Sequence, residues 1–193
     1  MARRPDRAIV GISDHAGWAV FVTVARDATI VDRRRVELVD ADLPCMPIHH
    51  KAQTLPLPEA IELVERVRAS AARHAALQLE TIAKDATVPI RGVALRVCPA
   101  LPPTIEEQLQ DYRAQNVADW VMYRQVLATA AEARGWSVHW YDAKKVNDAA
   151  CKALGIDSLA ARFVEARKAL GSPWNQDHKL AMAAAVAAGA AEP

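Results

Sequence analysis

Apolar and β-branched residues form three short runs near the beginning of the chain. Ala8–Ser13 (AIVGIS) and Trp18–Val24 (WAVFVTV) have the length and density of buried strands, and Ala28–Val39 contains a third run. The residues from Asp14 to Gly17 separate the first two runs and predict a tight turn. Short turns between strands indicate an antiparallel meander, with Arg33–Arg35 at a bend or an exposed edge.

Helical periodicity alternates with two further strands in the rest of the chain. Thr104 and Glu107 have the spacing of a capping box, which predicts the start of a long helix that reaches Arg134. The first three strands are joined by short turns, and the last two are separated by helices. This order predicts an α/β mixed sheet with helices on its faces. The other predicted elements are helices over Pro58–Lys84, Val146–Leu154 and Ser158–Leu170, strands over Val88–Cys98 and Ser137–Asp142, and an alanine-rich closing helix that begins near Asn175–Asp177.

The segment Asp40–Leu57 is the one long irregular stretch that the pattern predicts, because three prolines interrupt it. Its adjacent His49 and His50 are metal-binding candidates. No further ligand stands at a metal-site spacing from them, so solvent-exposed loop histidines are the simpler interpretation.

Composition narrows the class of protein. The 193 residues, 52% hydrophobic and 24% charged, fit one globular domain over positions 1–193. Cys45, Cys98 and Cys151 form no CxxC pair, which argues against a zinc knuckle. No apolar run approaches the roughly 20 residues of a membrane helix, and the N-terminus lacks a signal-peptide core. We therefore expect a cytoplasmic protein that contacts no membrane.

The formal net charge of +1 does not show the basic excess typical of nucleic-acid-binding proteins. Contacts with nucleic acid would depend on local clusters, such as Arg3, Arg4 and Arg7 or the run Arg33–Arg35. Such runs also occur on ordinary solvated surfaces.

Four segments resemble the ribonuclease H-like superfamily, and the order of elements is most similar to that of RuvC-type Holliday-junction resolvases. IVGIS at 9–13 resembles the family's first strand, VALRVC at 93–98 its fourth and VHWYDAKKV at 138–146 its fifth. HKLAMAAAVA at 178–187 resembles its last helix. The resemblance implies a ribonuclease H-like mixed sheet, with three antiparallel strands and then two parallel strands, and helices on both faces.

The resemblance also implies metal-dependent phosphodiester cleavage. Two magnesium or manganese ions about 4 Å apart would activate water, held by carboxylates from the first strand, the fourth strand and the last helix. In this chain the first-strand position falls on Ser13, with Asp14 one residue later, and the fourth-strand position falls on or beside Arg96. A one-residue offset reverses the face of a strand, and arginine cannot ligate a cation. The family's last helix carries two acidic positions three residues apart. His178 falls on the first of them, and Ala181 falls on the second.

The remaining acids and histidines define a candidate site. If the fold is that of the family, Asp14-His15 and Asp177-His178 converge as metal ligands, and a mixed site of this kind suits manganese or zinc better than magnesium. Asp14, Asp177 and His178 are then the catalytic candidates, together with Asp142 after the fifth strand. The competing interpretation makes Asp14 a turn residue and Asp177 a helix cap.

Candidate nucleic-acid contacts lie near the same predicted edge. Arg96, Lys144 and Lys145 are candidates for phosphate binding. Trp136, Trp140 and Trp174 are either stacking surfaces for bases or, as is more common, core residues.

Three functions remain open at this point. The favoured hypothesis is a RuvC-like domain with a degenerate metal site that binds nucleic acid or protein without catalysis, because Arg96 opposes a metal cluster. The alternative is a divergent metal-dependent endonuclease. A structural homo-oligomer, such as a homodimer, is the third.

Overall fold

The computed structural model describes residues 7–191, so Arg3 and Arg4 lie outside the described residues. Its sheet has five strands in the order β3-β2-β1-β4-β5. The hairpin strands β1 to β3 pair antiparallel, whereas β4 lies parallel to β1 and β5 parallel to β4. The predicted mixed sheet is therefore confirmed. The strands are β1 (Ala8–His15), β2 (Trp18–Ala25), β3 (Ile30–Glu37), β4 (Ile90–Arg96) and β5 (Ser137–Tyr141).

Helices connect and cover these strands. A single 3₁₀ turn, Lys51–Thr54, lies in the proline-rich segment before the first helix. None of the helices between residues 7 and 191 has the length and hydropathy of a transmembrane segment. The helices are α1 (Leu57–Asp85), α2 (Ile105–Gln110), α3 (Tyr112–Gln115), α4 (Ala118–Glu132), α5 (Val146–Leu154), α6 (Ala160–Leu170) and α7 (Gln176–Ala191).

The prediction of one helix from Thr104 to Arg134 was wrong, since α2, α3 and α4 divide this segment. The capping box at the start of α2 is present as predicted. Asp111 ends α2, and its carboxylate accepts the backbone N–H groups of Arg113 and Ala114 at the start of α3. A short carboxylate that binds nearby backbone competes with helix continuation.

The structure assigns to strands the residues Asp14 and His15, which the pattern placed in a turn, and Arg33–Arg35, which it placed at a bend or an exposed edge; β3 is an edge strand of the sheet. Asp14 and His15 continue β1 and pair with Ala19 and Trp18, so the turn shortens to two residues. Gly17 in this turn has φ of +83°, a left-handed conformation that glycine adopts without strain. Arg33–Arg35 likewise continue β3, because each of these residues pairs with β2.

The alternation of β1 divides the interior into two cores. Val10 and Ile12 pack with α1 and α4 on one face, and Ile9 packs with the alanines of α7 on the other. Ser13 and Asp14 therefore direct their side chains to opposite faces of the sheet.

Close packing fixes the position of α7 on β1. A Cβ atom at Gly11 would lie 1.8 Å from the carbonyl oxygen of Ala181, so only glycine allows this approach. The backbone of α7 lies directly against the strand, and the N-terminal turn of α7 is consequently held at the end of β1.

Candidate functional site at the ends of β1 and β4

The ends of β1, β4 and β5 meet the start of α7 at one edge of the sheet. Ser13 lies on the α7 face of β1, two residues before the strand ends, and Arg96 ends β4, where it pairs with Tyr141 of β5. Ser13 is fully buried and donates its hydroxyl hydrogen to Oδ1 of Asp177 at 3.0 Å. This edge is where the RuvC-type resemblance implies a cluster of carboxylates. A hydroxyl and a guanidinium stand at two of those positions instead.

Asp177 is held by a second contact, which comes from β1. The Nε2 atom of His15 lies 2.8 Å from the same oxygen that accepts the Ser13 hydroxyl. The His15 ring stacks on Trp18 with centroids 4.0 Å apart, and the guanidinium of Arg35 lies 4.5 Å above the Trp18 ring. The structure thus places His15 in contact with Asp177, and His15 belongs to an Arg35–Trp18–His15 stack.

His178 lies next to Asp177 and is held by the residue that begins α7. Asn175 Oδ1 accepts the backbone N–H groups of Asp177 and His178, so Asn175 caps the helix. The His178 Nδ1 atom lies 2.6 Å from the same amide oxygen. Burial, followed by the charge of Arg33, lowers the pKa of His178, which favours a neutral imidazole at neutral pH.

The loop between α6 and α7 is fastened to β3 by one side chain. The guanidinium of Arg33 donates hydrogen bonds to the carbonyl oxygens of Leu170, Gly171, Ser172 and Pro173. This loop leads directly into Asn175 and Asp177. Arg33 is therefore occupied in holding the start of α7, although the sequence suggested only a solvated charge or a nucleic-acid contact.

Asp14 lies on the opposite face and does not join Asp177. Its Oδ2 accepts a hydrogen bond from Arg124 Nε of α4 at 2.7 Å, and the two side chains are 0% and 8% exposed. Arg124 also donates to the carbonyl oxygen of Val97, whereas Asp14 Oδ1 has no hydrogen-bond partner among residues 7–191. The expectation that both Asp-His pairs converge is corrected: Asp14 is buried in an ion pair, because strand alternation directs it away from α7.

Arg124 was not a candidate from the sequence, although a signal was available. Val121, Arg124 and Ala128 follow helical spacing, and all three are buried. A charged residue within the apolar stripe of a helix needs a buried partner of opposite charge. That requirement indicates an ion pair, but it cannot identify Asp14 as the partner.

Tyr141 links the end of β5 to the end of β1. Its hydroxyl donates to the carbonyl oxygen of Ile12 at 2.8 Å. Burial raises the pKa of Tyr141 to about 12, helped by the charge of Asp14 and opposed by the contact with Arg96. The Nε atom of Arg96 is itself buried without a hydrogen-bond partner among the described residues.

The segment after β5 forms a polar turn at the same edge. Asp142 Oδ1 accepts the backbone N–H of Lys144 at 2.8 Å, which is the geometry of a local Asx turn. Lys144 and Lys145 are both exposed. The carboxylate of Asp142 thus stabilises the turn that presents the two lysines, and they remain available to a ligand.

The His49-His50 pair has a structural environment on the α4 side. His49 Nδ1 lies 3.1 Å from the Gln115 carbonyl oxygen, and the two imidazoles meet edge to face. Buried Asp119 accepts the backbone N–H groups of Ile48 and His49, and burial raises its pKa. These contacts fasten the proline-rich segment to α4.

A two-metal carboxylate centre does not fit the residues at this site. Within residues 7–191, no three histidine, cysteine or acidic side chains are grouped so that they could hold a metal ion. Arg96 places a positive charge at the end of β4, the strand next to β1, and a guanidinium repels cations.

Two solved structures are similar to this chain. The structure of T. thermophilus RuvC in complex with Holliday junction substrate has 16% sequence identity and a TM-score of 0.52, covering 96% of this chain and 94% of that chain. A second Thermus thermophilus RuvC structure has 16% identity and a TM-score of 0.48, with 95% of each chain covered. No family model and no curated protein matches the sequence. The strand order and the similarity to the first structure show that this chain has the ribonuclease H-like fold in its RuvC-type form.

Proposed function

We propose that this chain is a RuvC-like nucleic-acid-binding domain that holds its ligand without cleaving it. The observation that carries the proposal is the replacement of two expected carboxylates at the sheet edge by Ser13 and Arg96. Hydrolysis by two metal ions needs a cluster of anionic oxygen ligands. Asp177 is a carboxylate at this edge, and the hydrogen bonds from Ser13 and His15 already engage one of its oxygens.

Positive side chains at the same edge support the binding of a phosphate backbone. Lys144 and Lys145 are exposed on the turn after β5, and Arg96 ends the neighbouring strand. Phosphate contacts supply most of the affinity of nucleic-acid binding and need only local positive charge. The similar T. thermophilus RuvC structure contains a Holliday junction, so branched DNA is the first ligand to test.

One observation favours a divergent metal-dependent endonuclease as the second candidate. The Nδ1 side of the His178 ring contacts the Asn175 amide oxygen, an arrangement that typically orients a metal-ligating histidine through its other nitrogen. Such an enzyme would use Asp177 and His178 with Asp142. Asp14 would have to leave Arg124 and change faces to contribute.

The test measures binding and cleavage on the same ligands. Four-way junction DNA, single-stranded DNA and single-stranded RNA are incubated with the protein in magnesium, in manganese and in EDTA. We expect binding under all three conditions and intact strands on a denaturing gel. Asp177→Asn serves as the control, and it should bind as the unmodified protein does.

Two results would contradict the proposal. Strand cleavage that requires the metal and disappears in Asp177→Asn would establish the endonuclease. A failure to bind any of the three nucleic acids at low ionic strength would exclude nucleic acid as the ligand.

A further inference from the structure

Three arginines meet at the end of the sheet opposite the candidate site. Arg7 directly precedes β1, Arg26 directly follows β2, and Arg91 is the second residue of β4. The eight residues of β1 span about 25 Å at roughly 3.3 Å each, so this arginine cluster lies about that far from the candidate site. The three side chains line one small recess, together with Ile9, Val24 and Gly189.

The backbone places Arg7 and Arg26 directly opposite each other. The N–H of Arg26 donates to the carbonyl oxygen of Arg7 at 2.9 Å, which continues the β1–β2 ladder by one pair. Directly opposite residues of an antiparallel pair have Cβ atoms about 4.5–5.5 Å apart, and like charges at such positions are destabilising. A bound anion would relieve this repulsion.

A β-bulge adds Arg91 to the pair. Ala8 pairs with Ile90, whereas Ile9 pairs with Gly92, so Arg91 is the extra residue on β4. Bulges redirect side chains and are frequent beside functional sites. Ile9 and Val24 belong to the core beneath α7, and Arg91 lines the same recess as these two residues. The bulge therefore brings a third guanidinium to the face on which Arg7 and Arg26 lie.

No described acid neutralises this cluster. None of the three arginines forms an ion pair or a side-chain hydrogen bond with another residue between positions 7 and 191. The Nε atom of Arg7 is buried without a hydrogen-bond partner in this part of the chain. Asp27, the acid next to Arg26, accepts the backbone N–H of Thr29. The cluster consequently keeps both its charge and its donors for a ligand.

We propose that the arginine cluster binds one backbone phosphate of the nucleic acid. This inference rests on the proposed function and adds a second contact region at the other end of the sheet. The recess has a volume of about 20 Å³, which admits one water-sized oxygen atom and excludes a base or a sugar. The exposed guanidiniums of Arg26 and Arg91 are available to the other phosphate oxygens, since a guanidinium fork matches phosphate geometry.

The experiment measures the Kd of four-way junction DNA at several salt concentrations. Arg26→Gln/Arg91→Gln should weaken binding and reduce the slope of log K against log salt by about 0.9, as expected for one lost phosphate contact. Arg66→Gln/Arg162→Gln is the matched control, because it removes the same charge from exposed positions on α1 and α6. Its slope should equal that of the unmodified protein.

A combined variant tests whether both ends of the sheet hold the same ligand. Arg26→Gln/Arg91→Gln is joined to Lys144→Ala/Lys145→Ala, and the fold-losses in affinity should multiply to within about a factor of two. A combined variant that binds as tightly as the lysine variant alone would overturn the second contact.

Pyrophosphate probes the arginine cluster without nucleic acid. It should raise the Tm of the unmodified protein and of Lys144→Ala/Lys145→Ala, and most of this shift should be lost in Arg26→Gln/Arg91→Gln. Without a ligand, the arginine variant should have an equal or higher Tm, because Arg7 then lacks an opposing positive charge. A lower Tm would indicate that the arginines stabilise the fold instead.

The outcomes distinguish this inference from the proposed function. If the junction binds and the arginine variant keeps the full salt slope, the cluster proposal fails and the proposed function stands. If the slope is unchanged but the pyrophosphate shift is lost, the cluster binds a small phosphorylated ligand, and the nucleic-acid contact is overturned. Absence of all nucleic-acid binding overturns both proposals.

Discussion

Ser13 and Asp14 are neighbours on β1, but their side chains lie in different environments. Ser13 directs its side chain toward α7 and bonds Asp177, whereas Asp14 directs its side chain toward α4 and bonds Arg124. Both residues are buried, but they lie in different environments because successive side chains of a strand alternate between faces. Asp14, the acid nearest in sequence to the expected metal position, is consequently part of an ion pair in the other core.

The Asp14–Arg124 pair gives the first prediction. Arg124→Met leaves the carboxylate of Asp14 buried without its charged partner, which should lower the free energy of unfolding by about 3–5 kcal/mol. Urea denaturation followed by circular dichroism measures this loss. The double variant Asp14→Leu/Arg124→Met should recover most of the stability, since it leaves no buried charge.

A surface pair provides the control for this prediction. Arg162 lies 3.6 Å from Glu165, and both side chains are largely exposed. Arg162→Met should therefore change the stability by less than about 1 kcal/mol. Equal effects of Arg124→Met and Arg162→Met would show that the buried pair is not coupled to folding.

Tyr141 gives a prediction on alkaline stability. Its pKa rises from the ordinary 10.0 to about 12 in the folded protein, because burial opposes the phenolate. The unfolded chain therefore releases this proton first, and the stabilising contribution is complete below pH 10 and is lost as the pH rises toward 12. Tyr141→Phe should show a shallower fall of the free energy of unfolding across that window, by on the order of 2 kcal/mol.

The same variant has a separate effect at neutral pH. Removing the hydroxyl breaks the hydrogen bond to the Ile12 carbonyl and should lower the stability by about 1 kcal/mol. Urea titrations of both proteins at several pH values measure the two effects together. Parallel curves from pH 8 to 12 would refute the contribution of Tyr141 ionisation.

At the scale of the element, α7 is positioned by small residues. Its alanines pack most of the helix against β1, β2 and β4. Because Gly11 has no side chain, the backbone of β1 contacts the backbone of α7 directly. The low side-chain volume on both sides allows a closer approach than ordinary helix-on-sheet packing. This approach brings Asp177 within hydrogen-bond distance of Ser13.

Two glycine substitutions test this close approach. Gly11→Ala places a Cβ atom 1.8 Å from the Ala181 carbonyl oxygen, so α7 must shift, and the cost should reach or exceed about 3 kcal/mol. At Gly189 of α7, the nearest atom to an added Cβ is Ile9 Cγ1 at 3.9 Å. Gly189→Ala should thus be neutral or stabilise by up to about 1 kcal/mol through helix propensity.

Chemical denaturation of the two variants decides the question. If Gly11→Ala is as stable as Gly189→Ala, α7 does not lie against β1 as described. A loss in Gly11→Ala should also disturb the Ser13–Asp177 contact, because both depend on the same helix position.

At the scale of the whole molecule, the net charge of +1 gives little long-range attraction for a polyanion. Binding at the candidate site would therefore depend on the few cations at the edge where β1, β4 and β5 end. Arg33 is occupied by the α6–α7 loop and Arg124 by Asp14, whereas Lys144 and Lys145 after β5 are exposed cations in this area.

This distribution predicts a modest salt dependence. Lys144→Ala/Lys145→Ala should reduce the slope of log K against log salt by about 1.4–1.8, the value for two lost phosphate contacts. Lys84→Ala is the control, since Lys84 lies in the last turn of α1, shortly before the beginning of β4 and at the other end of the sheet. Equal slopes for the two variants would indicate that the binding surface lies elsewhere.

Most of the element order was predictable because local patterns carry it. Strand periodicity, the capping box at Thr104 and the alanine-rich closing helix each depend on neighbouring residues only. The division of residues 104–134 was missed, since Asp111 acts as a cap instead of a helical residue. A continuous helix would have placed Tyr112 on its buried face, whereas the residue is 78% exposed at the start of α3.

The sequence by itself determined most of the element order, the residues Ser13 and Arg96 at positions where the resemblance implies acids, and the candidates Asp177 and His178. Only the tertiary structure decided that Asp14 pairs with Arg124 and that His15 meets Asp177. The physical reason is that each contact joins residues more than 100 positions apart in the sequence, one contact on each face of the sheet. Hydrophobic periodicity determines which side of an element is buried, but the partner of a buried charge depends on how the elements pack.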